Sequence, residues 1–307
     1  MTRRCFGDFS TAPIAEVFPS VLFPVLAAVL LAVGVTTAHR RLVPVLAAKT
    51  VAACVVVVVA AAVPTLWIIS LDFLVHLPIF GHGLEWCSNV FGVRRRIPDV
   101  IGLPTTIMSI AGIVRSVRFI RSHRRLRYDD RTSVEVADCS VPFAYTLPGK
   151  GGRIVISTGL IELLDDDEQG VVIAHEQAHA RHRHDRYVLI GQLAEINLPL
   201  LHPLVKRLHF ALERWADEAA VVESSGDRRF VAETLGKVAL NSMKPLGALG
   251  IVGLGVPGRV AALLVPPPTS QHPIAVCMMW MAIAATAALA LVQLHHLLGL
   301  LTALCPG

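Results

Sequence analysis

Four long apolar segments lie towards the two ends of this 307-residue chain and set the strongest limit on its fold. The segments 21–38, 51–70 and 274–294 each approach the ~20 apolar residues that a helix needs to cross a bilayer. The remaining segment, 100–114, is shorter, so it must thin the membrane, rely on flanking arginines that reach the interface, or enter without crossing. The sequence therefore predicts an α-helical membrane protein.

The overall composition agrees with this prediction. The chain is 54% hydrophobic and only 17% charged, whereas soluble domains average about a quarter charged residues. The charged residues concentrate between the third and last apolar segments. We therefore predict an N-terminal membrane domain of two or three transmembrane helices (1–114), a polar domain with its own core (115–272) and a C-terminal transmembrane helix (273–307).

Basic residues beside the apolar segments indicate the orientation of the chain. Such residues favour the cytoplasmic side of a membrane and contact anionic lipid. The N-terminus lies outside if the third segment crosses and inside if it does not, but both arrangements place the polar domain in the cytoplasm. The sequence thus predicts a multi-pass protein of the cell membrane whose polar domain faces the cytoplasm. The basic residues in question are Arg40, Arg41, Lys49, Arg115, Arg118, Arg121, Arg124, Arg125 and Arg127.

The net charge of +5 raises the alternative of nucleic-acid binding. No recognition motif accompanies the charge, and the arginines lie next to apolar stretches instead. We therefore expect membrane lipid as a partner and no direct nucleic-acid binding.

The polar domain shows the pattern of a small α+β unit. Three short alternating or apolar stretches predict a sheet, and the acidic run Asp165 to Glu168 supplies capping and first-turn charge for a long helix that reaches 185. Glycine and proline are frequent from 243 to 273, which predicts a connector without regular structure. The predicted strands are 133–138, 143–147 and 152–158, and two further amphipathic helices are predicted at 209–225 and 227–240.

The stretch "HEQAH" carries the chemistry of the polar domain. On a helix, His175 and His179 are four residues apart and share a face, so they can offer two imidazoles to one metal ion. Glu176 lies beside them, where its carboxylate can take a proton from a water that the metal has activated. This is the H-E-x-x-H arrangement of zinc peptidases.

A catalytic zinc needs a third protein ligand and an open fourth position. Glu213 in "LERWADEAA" is one candidate, and Asp217, four residues later, could accept a hydrogen bond from a ligand histidine. Asp185, ten residues after His175, is the rival candidate. The rival pattern needs a glycine where the chain turns back, and this sequence has His182 there, so Glu213 is favoured.

Several neighbouring residues have more ordinary interpretations. His182 would return to the metal face if the helix continued, but such a residue is more often solvated. His184 and Asp185 lie near the predicted helix end, where a cation and an anion usually form a cap and its partner. Trp215 is expected to pack in the core.

The stretch from Val141 to Asp185, followed by "ERWADEAA", resembles the peptidase domain of BlaR/MecR-type membrane metallopeptidases and, more distantly, the Ste24/HtpX-type membrane peptidases. The resemblance covers roughly 140 to 240. It implies a gluzincin-like minimal metallopeptidase domain, placed between the third and last transmembrane helices, that uses Zn²⁺. The family's E-x-x-A-D element, which supplies the third zinc ligand, matches Glu213 and Asp217.

The resemblance also implies an endopeptidase that acts on a cytoplasmic or membrane-proximal protein. The best-known members cleave a transcriptional repressor after sensing a beta-lactam, but no penicillin-binding sensor follows the last apolar segment here, so small-molecule sensing is not expected. Two alternatives stay open: an HtpX-like protease that clears damaged membrane proteins, and a non-catalytic signalling module. The presence of Glu176 argues against the second, because a structural zinc site needs no base.

Two smaller expectations complete the sequence analysis. We expect the stretch 153–157 ("RIVIS") to form an edge strand that holds substrate by strand addition. Cys87 and Cys305 would both lie outside in the four-crossing arrangement, where they either form a disulfide or remain free thiols.

Overall fold

The computed structural model describes residues 14–77, 97–125, 134–148, 152–241, 252–265 and 273–304. Within these ranges, four long helices correspond to the four apolar segments. They are α1 (Ile14–Ala38), α2 (Pro44–Val75), α3 (Asp99–Arg125) and α10 (Pro273–Leu304). Cys87 and Cys305 lie outside the described residues.

Three of these helices, α2, α3 and α10, are long and apolar enough to cross a membrane. Helix α3 has 27 residues and extends beyond the apolar segment 100–114 to Arg125. At about 1.5 Å per residue it is roughly 40 Å long, which exceeds the ~30 Å hydrocarbon core of a bilayer. By length and composition α3 is therefore a candidate membrane span. Helix α1 has a shorter apolar portion, Leu22–Ala38.

Helices α2 and α3 run antiparallel. The hydroxyls of Ser70 and Ser109 lie 3.1 Å apart, and Phe73 packs directly against Gly102. Such polar contacts and close approaches at small residues are what hold helices together where lipid supplies no hydrophobic driving force. Since the two helices are antiparallel, α3 ends near the start of α2.

The polar domain contains the predicted three-stranded sheet, formed by β1 (Val134–Ala137), β2 (Ala144–Leu147) and β3 (Arg153–Ser157). The strand order is β1-β3-β2, with β3 parallel to β1 and antiparallel to β2. The expectation that 153–157 is an edge strand is therefore wrong. Its residues Ile154, Val155 and Ile156 are all buried, and a strand whose side chains are covered on both faces belongs in the middle of a sheet.

Six helices accompany the sheet in the described part of the polar domain. A capping box starts the second of them: Asp165 Oδ1 accepts from the backbone N–H of Glu168 at 2.8 Å, and Glu168 Oε2 accepts from the N–H of Asp165 at 3.0 Å. The helices are α4 (Thr158–Leu163), α5 (Asp166–Arg181), α6 (His184–Asn197), α7 (His202–Glu223), α8 (Arg228–Asn241) and α9 (Val252–Leu264).

Helix α9 corrects the expectation of an irregular connector from 243 to 273. Its composition is poor for a helix, with Pro257 in its interior. However, Leu263 is buried in one apolar cluster with Val231 of α8 and Val221 of α7. This packing outweighs the weak local propensity, and it brings α9 against the helices that carry the candidate site.

The membrane helices and the polar domain share one hydrophobic core. Helix α7 lies along the first half of α2, and one cluster of buried apolar residues contains side chains of both. At 32 residues, α2 is roughly 48 Å long, so part of it can extend beyond the hydrocarbon region and support the polar domain. The buried residues involved include Ala48, Val51 and Val55 of α2 and Leu204, Val205, Leu208 and Leu212 of α7.

Candidate metal centre

Three side chains from two helices converge at one point. His175 and His179 lie one turn apart on α5, and their Nε2 atoms are 3.1 Å from each other. Glu213 approaches from α7, with its carboxylate oxygens 3.6 Å from each of these Nε2 atoms. One ligand atom from each residue lies within 4.8 Å of the others, which makes these three residues a group that could hold a metal ion.

The spacing of this group fits a zinc site. Zinc takes tetrahedral sites with bonds of about 2.0–2.2 Å to histidine nitrogen and carboxylate oxygen, so two of its ligand atoms are about 3.4 Å apart. The distances between His175, His179 and Glu213 lie close to that value on all three sides. Two nitrogens and one carboxylate oxygen also form a donor set that zinc prefers.

The charges around the site favour a cation between the ligands. Burial opposes a charge on His175, but hydrogen bonds and charge from Asp217 and Glu213 outweigh it and raise its pKa to about 10. Burial lowers the pKa of His179, and the neighbouring His175 lowers it further. Burial also opposes the charge on Glu213, yet His175, His179 and Arg259 hold the pKa of that carboxyl well below its usual range. Without a metal ion, His175 thus holds its proton between the carboxylates of Asp217 and Glu213, and these two carboxylates favour positive charge at this point.

Asp217 and Arg259 form a buried support behind the ligands. Asp217 is 2% exposed, and its Oδ1 lies 3.1 Å from Nδ1 of His175. Arg259 donates from Nε to Asp217 Oδ2 at 2.9 Å and from Nη2 to Oδ1 at 2.6 Å. Its Nη1 lies 2.8 Å from Glu213 Oε2. Although burial opposes its charge, the pKa of Asp217 is lowered by the hydrogen bonds from Arg259 and His175.

Arg259 is a residue that the sequence analysis missed. It lies on α9, within the region expected to be a connector. The available signal was a single basic residue in the apolar stretch "GLGVPGRVAALL", because a buried cation in such a stretch needs a partner. Nothing in the sequence indicates that this partner is the Glu213–Asp217 pair.

Glu176 lies next to the ligands and is held by the sheet. The Thr146 hydroxyl on β2 lies 2.7 Å from Glu176 Oε2 and 2.8 Å from the Glu176 carbonyl oxygen. Both atoms accept from the single hydroxyl hydrogen, so the side chain and the backbone of Glu176 are tied to the same strand. Thr146 is a second site residue that sequence reasoning did not identify.

The helix that carries the histidines ends earlier than predicted. Helix α5 stops at Arg181, and Arg183 adopts a left-handed backbone conformation (φ 54°) before α6 begins at His184. His182 therefore does not return to the metal face. Its ring stacks on Trp215, with ring centroids 4.6 Å apart.

His184 and Asp185 were expected to form a cap and its partner at the end of this helix. They lie instead at the start of the next helix, α6. His184 is buried, and its Nδ1 lies 2.9 Å from Nδ1 of His179. Burial and the neighbouring His179 lower the pKa of His184 to about 3. Asp185 Oδ1 lies 3.4 Å from Nε of Arg183, and Asp185 does not belong to the group that could hold a metal. The structure thus brings His175 and His179 together with Glu213 and not with Asp185.

A cleft of about 1280 Å³ opens beside these residues. One side is formed by β2 and its flanks, residues 141–148, and the other by α8 and α9. His123, near the end of α3, also lines it. Apart from the site residues, the lining is largely apolar and includes Val171, Val172, Val231, Leu235, Val238 and Val260.

Comparison with known proteins shows what the region around this site resembles. Residues 119–233 match the family model for Peptidase family M48. A stretch of 52 residues is 44% identical to the "Protease HtpX homolog" of Thermoplasma acidophilum and covers 16% of this chain and 16% of that protein's length. No solved structure matches the chain significantly.

The family match covers less than half of the chain and makes that part similar to peptidases of family M48, without singling out the BlaR/MecR type. Together with the three apolar helices, it indicates a membrane protein. The matched region contains the three candidate ligands and Glu176 but ends before Arg259.

Proposed function

We propose that the protein is an integral-membrane zinc endopeptidase that hydrolyses peptide bonds of cytoplasmic or membrane-proximal proteins. In this proposal His175, His179 and Glu213 bind the zinc, and Glu176 is the general base and acid. The observation that carries the proposal is the convergence of one carboxylate and two imidazoles within 4.8 Å of one another, with Glu176 beside them. The match to Peptidase family M48 supports it.

The roles of the zinc ion, Glu176 and Thr146 in the proposed reaction follow from their positions. Zinc, when bound, would polarise the scissile carbonyl and lower the pKa of a water molecule towards about 7. Glu176 accepts a proton from the attacking water and delivers it to the nitrogen of the departing amine. Thr146 keeps one carboxylate oxygen of Glu176 fixed by its hydrogen bond at 2.7 Å, so that the other oxygen can face the reacting water.

The carboxylate of Asp217 determines the orientation and the tautomer of the His175 ring. With Oδ1 3.1 Å from Nδ1, it accepts a hydrogen bond from Nδ1–H and leaves the Nε2 lone pair free to bind a metal ion. Arg259 balances the charge of the buried Asp217 and also holds Glu213. Asp217 and Arg259 therefore act as a unit that fixes two ligands, His175 and Glu213, at once.

The substrate is proposed to lie along β2. In the described sheet, β2 pairs with β3 on one side only, so its other edge can accept an extended peptide by strand addition. The same strand holds Glu176 through Thr146, which places such a peptide beside the catalytic carboxylate. The apolar lining of the cleft favours substrates with aliphatic or aromatic side chains near the cleaved bond.

We propose a multi-pass arrangement in the cell membrane with the catalytic domain facing the cytoplasm. Helix α3 ends on the side where α2 begins, and basic residues such as Arg41, Lys49, Arg118 and Arg121 lie towards those helix ends. Lysine and arginine in such positions favour the cytoplasmic side. His123 lines the cleft close to the end of α3, so the cleft opens near the membrane.

Two biological roles are compatible with this chemistry. One is regulatory cleavage of a transcriptional repressor, and the other is HtpX-like removal of damaged membrane proteins. The 52-residue match to an HtpX homologue favours the second role. Comparative proteomics of cells with the wild type or Glu176→Gln distinguishes them, because the uncut protein that accumulates is a soluble regulator in the first case and a membrane protein in the second.

The proposed chemistry is tested on the full chain purified in detergent. We expect close to one zinc per chain, and we expect Glu176→Gln to keep the metal while losing cleavage. Glu162→Gln, at an exposed position on α4, is the matched control and retains both. Cleavage by Glu176→Gln would refute the mechanism. Normal zinc binding by Glu213→Ala together with loss of zinc in Asp185→Ala would establish the rival ligand set.

A further inference from the structure

The contact between His179 and His184 assigns a role to a residue that the proposed chemistry does not use. We propose that His184 is a positioning residue: its Nδ1 accepts a hydrogen bond from Nδ1–H of His179 and thereby fixes the orientation and tautomer of this ligand for metal binding. The inference rests on the proposed function, because it concerns how one proposed zinc ligand is held.

The direction of the hydrogen bond follows from counting protons. The two Nδ1 atoms lie 2.9 Å apart, so one of them carries the hydrogen and the other accepts it. A histidine that binds a metal through Nε2 has its proton on Nδ1. His179 Nε2 is the atom that faces His175 Nε2 and Glu213. His179 must therefore donate and His184 must accept, which leaves the proton of neutral His184 on Nε2.

The turn between α5 and α6 brings the side chain of His184 against that of His179. In a continuous helix, residues five apart point about 140° away from each other, so a side chain at position 184 would not face that at position 179. Helix α5 ends first, and Arg183 takes φ 54°, a left-handed conformation that residues other than glycine rarely adopt. The new helix then begins with His184 directed back at His179.

Packing rather than further polar contacts holds the ring of His184. It is 1% exposed and lies against Trp215, with ring centroids 4.9 Å apart, and against Tyr187 at 6.3 Å. Within the residues that the structure describes, its Nε2 has no hydrogen-bond partner. If His184 only filled space in the core, an apolar side chain would be more stable there, because a buried N–H without a partner is costly. Unlike an apolar side chain, the imidazole of His184 can form a hydrogen bond with His179.

The two imidazole ligands are thus supported by different groups. His175 faces the carboxylate of Asp217, whereas His179 faces a neutral imidazole. Loss of the orienting partner of a ligand histidine typically weakens metal affinity by roughly 10- to 100-fold. A purely structural role for His184 would instead change the stability of the protein with and without metal alike.

The test compares two replacements of His184 in the full chain in detergent. His184→Asn places an amide oxygen close to the position of Nδ1 and can still accept the hydrogen bond, whereas His184→Leu cannot. His182→Gln is the matched control, because this neighbouring histidine also stacks on Trp215. Zinc affinity is measured by competition with a chelator, and unfolding of the metal-free protein is followed in parallel. If His184→Leu does not fold, His184→Gln, whose amide reaches the Nε2 position instead, takes its place.

We expect His184→Leu to weaken zinc binding by roughly 10- to 100-fold while His184→Asn stays within about threefold of the wild type. The metal-free proteins should unfold at similar temperatures. Wild-type zinc affinity in His184→Leu would overturn the inference, and so would equal losses in the two variants accompanied by equal destabilisation of the metal-free protein. Absence of zinc binding in the wild type would instead refute the proposed function itself, which is how the two failures are told apart.

Discussion

The hydroxyl of Thr146 and the carboxylate of Glu176 lie 2.7 Å apart, joining the edge strand β2 to the helix that carries both candidate histidine ligands. The same hydroxyl lies 2.8 Å from the Glu176 carbonyl oxygen. The strand proposed to bind substrate and the residue proposed to move the proton are therefore in direct contact. Displacement of one of them must alter the other.

We expect Thr146→Val to lower kcat about 3- to 10-fold, because loss of one hydrogen bond of about 0.5–1.5 kcal/mol leaves the carboxylate of Glu176 free to turn. Zinc content should not change, since the hydrogen bonds of the Thr146 hydroxyl go to Glu176 and not to a candidate ligand. Steady-state kinetics on a cleavable peptide and metal analysis check both points. Thr146→Ser, which keeps the hydroxyl, should restore most of the rate. Loss of zinc from Thr146→Val would contradict this assignment.

Replacement of Arg259 should affect stability as well as metal binding. Arg259→Met removes both guanidinium hydrogen bonds from the carboxylate of Asp217, which is 2% exposed, and leaves His175 as its remaining partner. Removal of one partner from a buried ion pair typically costs about 3–5 kcal/mol. We expect a loss of this size in the unfolding free energy of the metal-free protein, together with weaker zinc binding because Glu213 loses its contact at 2.8 Å.

Arg228→Met is the matched control for Arg259→Met. Arg228 pairs with Glu218 through two hydrogen bonds and donates to the backbone of α9, but this pair is more exposed, and the hydrogen bonds described for Arg228 involve no candidate ligand. Its replacement should leave zinc affinity unchanged. Equal effects of the two substitutions on zinc affinity would show that Arg259 has no special connection to the site.

Removal of the metal should destabilise the protein. Zinc at 100 times its dissociation constant stabilises a folded protein by about 2.7 kcal/mol, so a chelator should lower the unfolding temperature and abolish cleavage. Added zinc should reverse both effects, whereas magnesium, which prefers oxygen ligands, should not. His179→Ala should show no response to either treatment. A wild type whose unfolding temperature ignores the chelator would contradict a zinc site at these residues.

The parts of the site that the sequence predicted depend on local periodicity. His175 and His179 share a face because they are four residues apart on one helix, and the same spacing relates Glu213 to Asp217. The start of α5 was also readable, because the capping box of Asp165 and Glu168 is contained within four residues. These features require no knowledge of how distant segments meet.

The parts that the sequence did not predict depend on tertiary contacts. Arg259 reaches Asp217 only because α9 forms against α7 and α8 despite its internal proline. The contact of His184 with His179 needs the positive φ of Arg183. An arginine at that position does not indicate such a conformation. The central place of 153–157 in the sheet follows from a parallel pairing with β1 that leaves no local sequence signal.

The shared core of α2 and α7 makes a last prediction about how membrane and catalytic parts depend on each other. Leu208 is fully buried in that core, on the helix that also carries Glu213 and Asp217. We expect Leu208→Asp to abolish folding or zinc binding, because an unpaired charge buried there costs several kcal/mol and separates α7 from α2. Leu200→Asp is the matched control, since Leu200 is 93% exposed, and it should behave as the wild type in zinc content and in elution as a single species from a sizing column. If Leu208→Asp binds zinc and cleaves normally, the catalytic part holds its geometry independently of α2, and the packing of α7 on the membrane helix has no part in forming the metal centre.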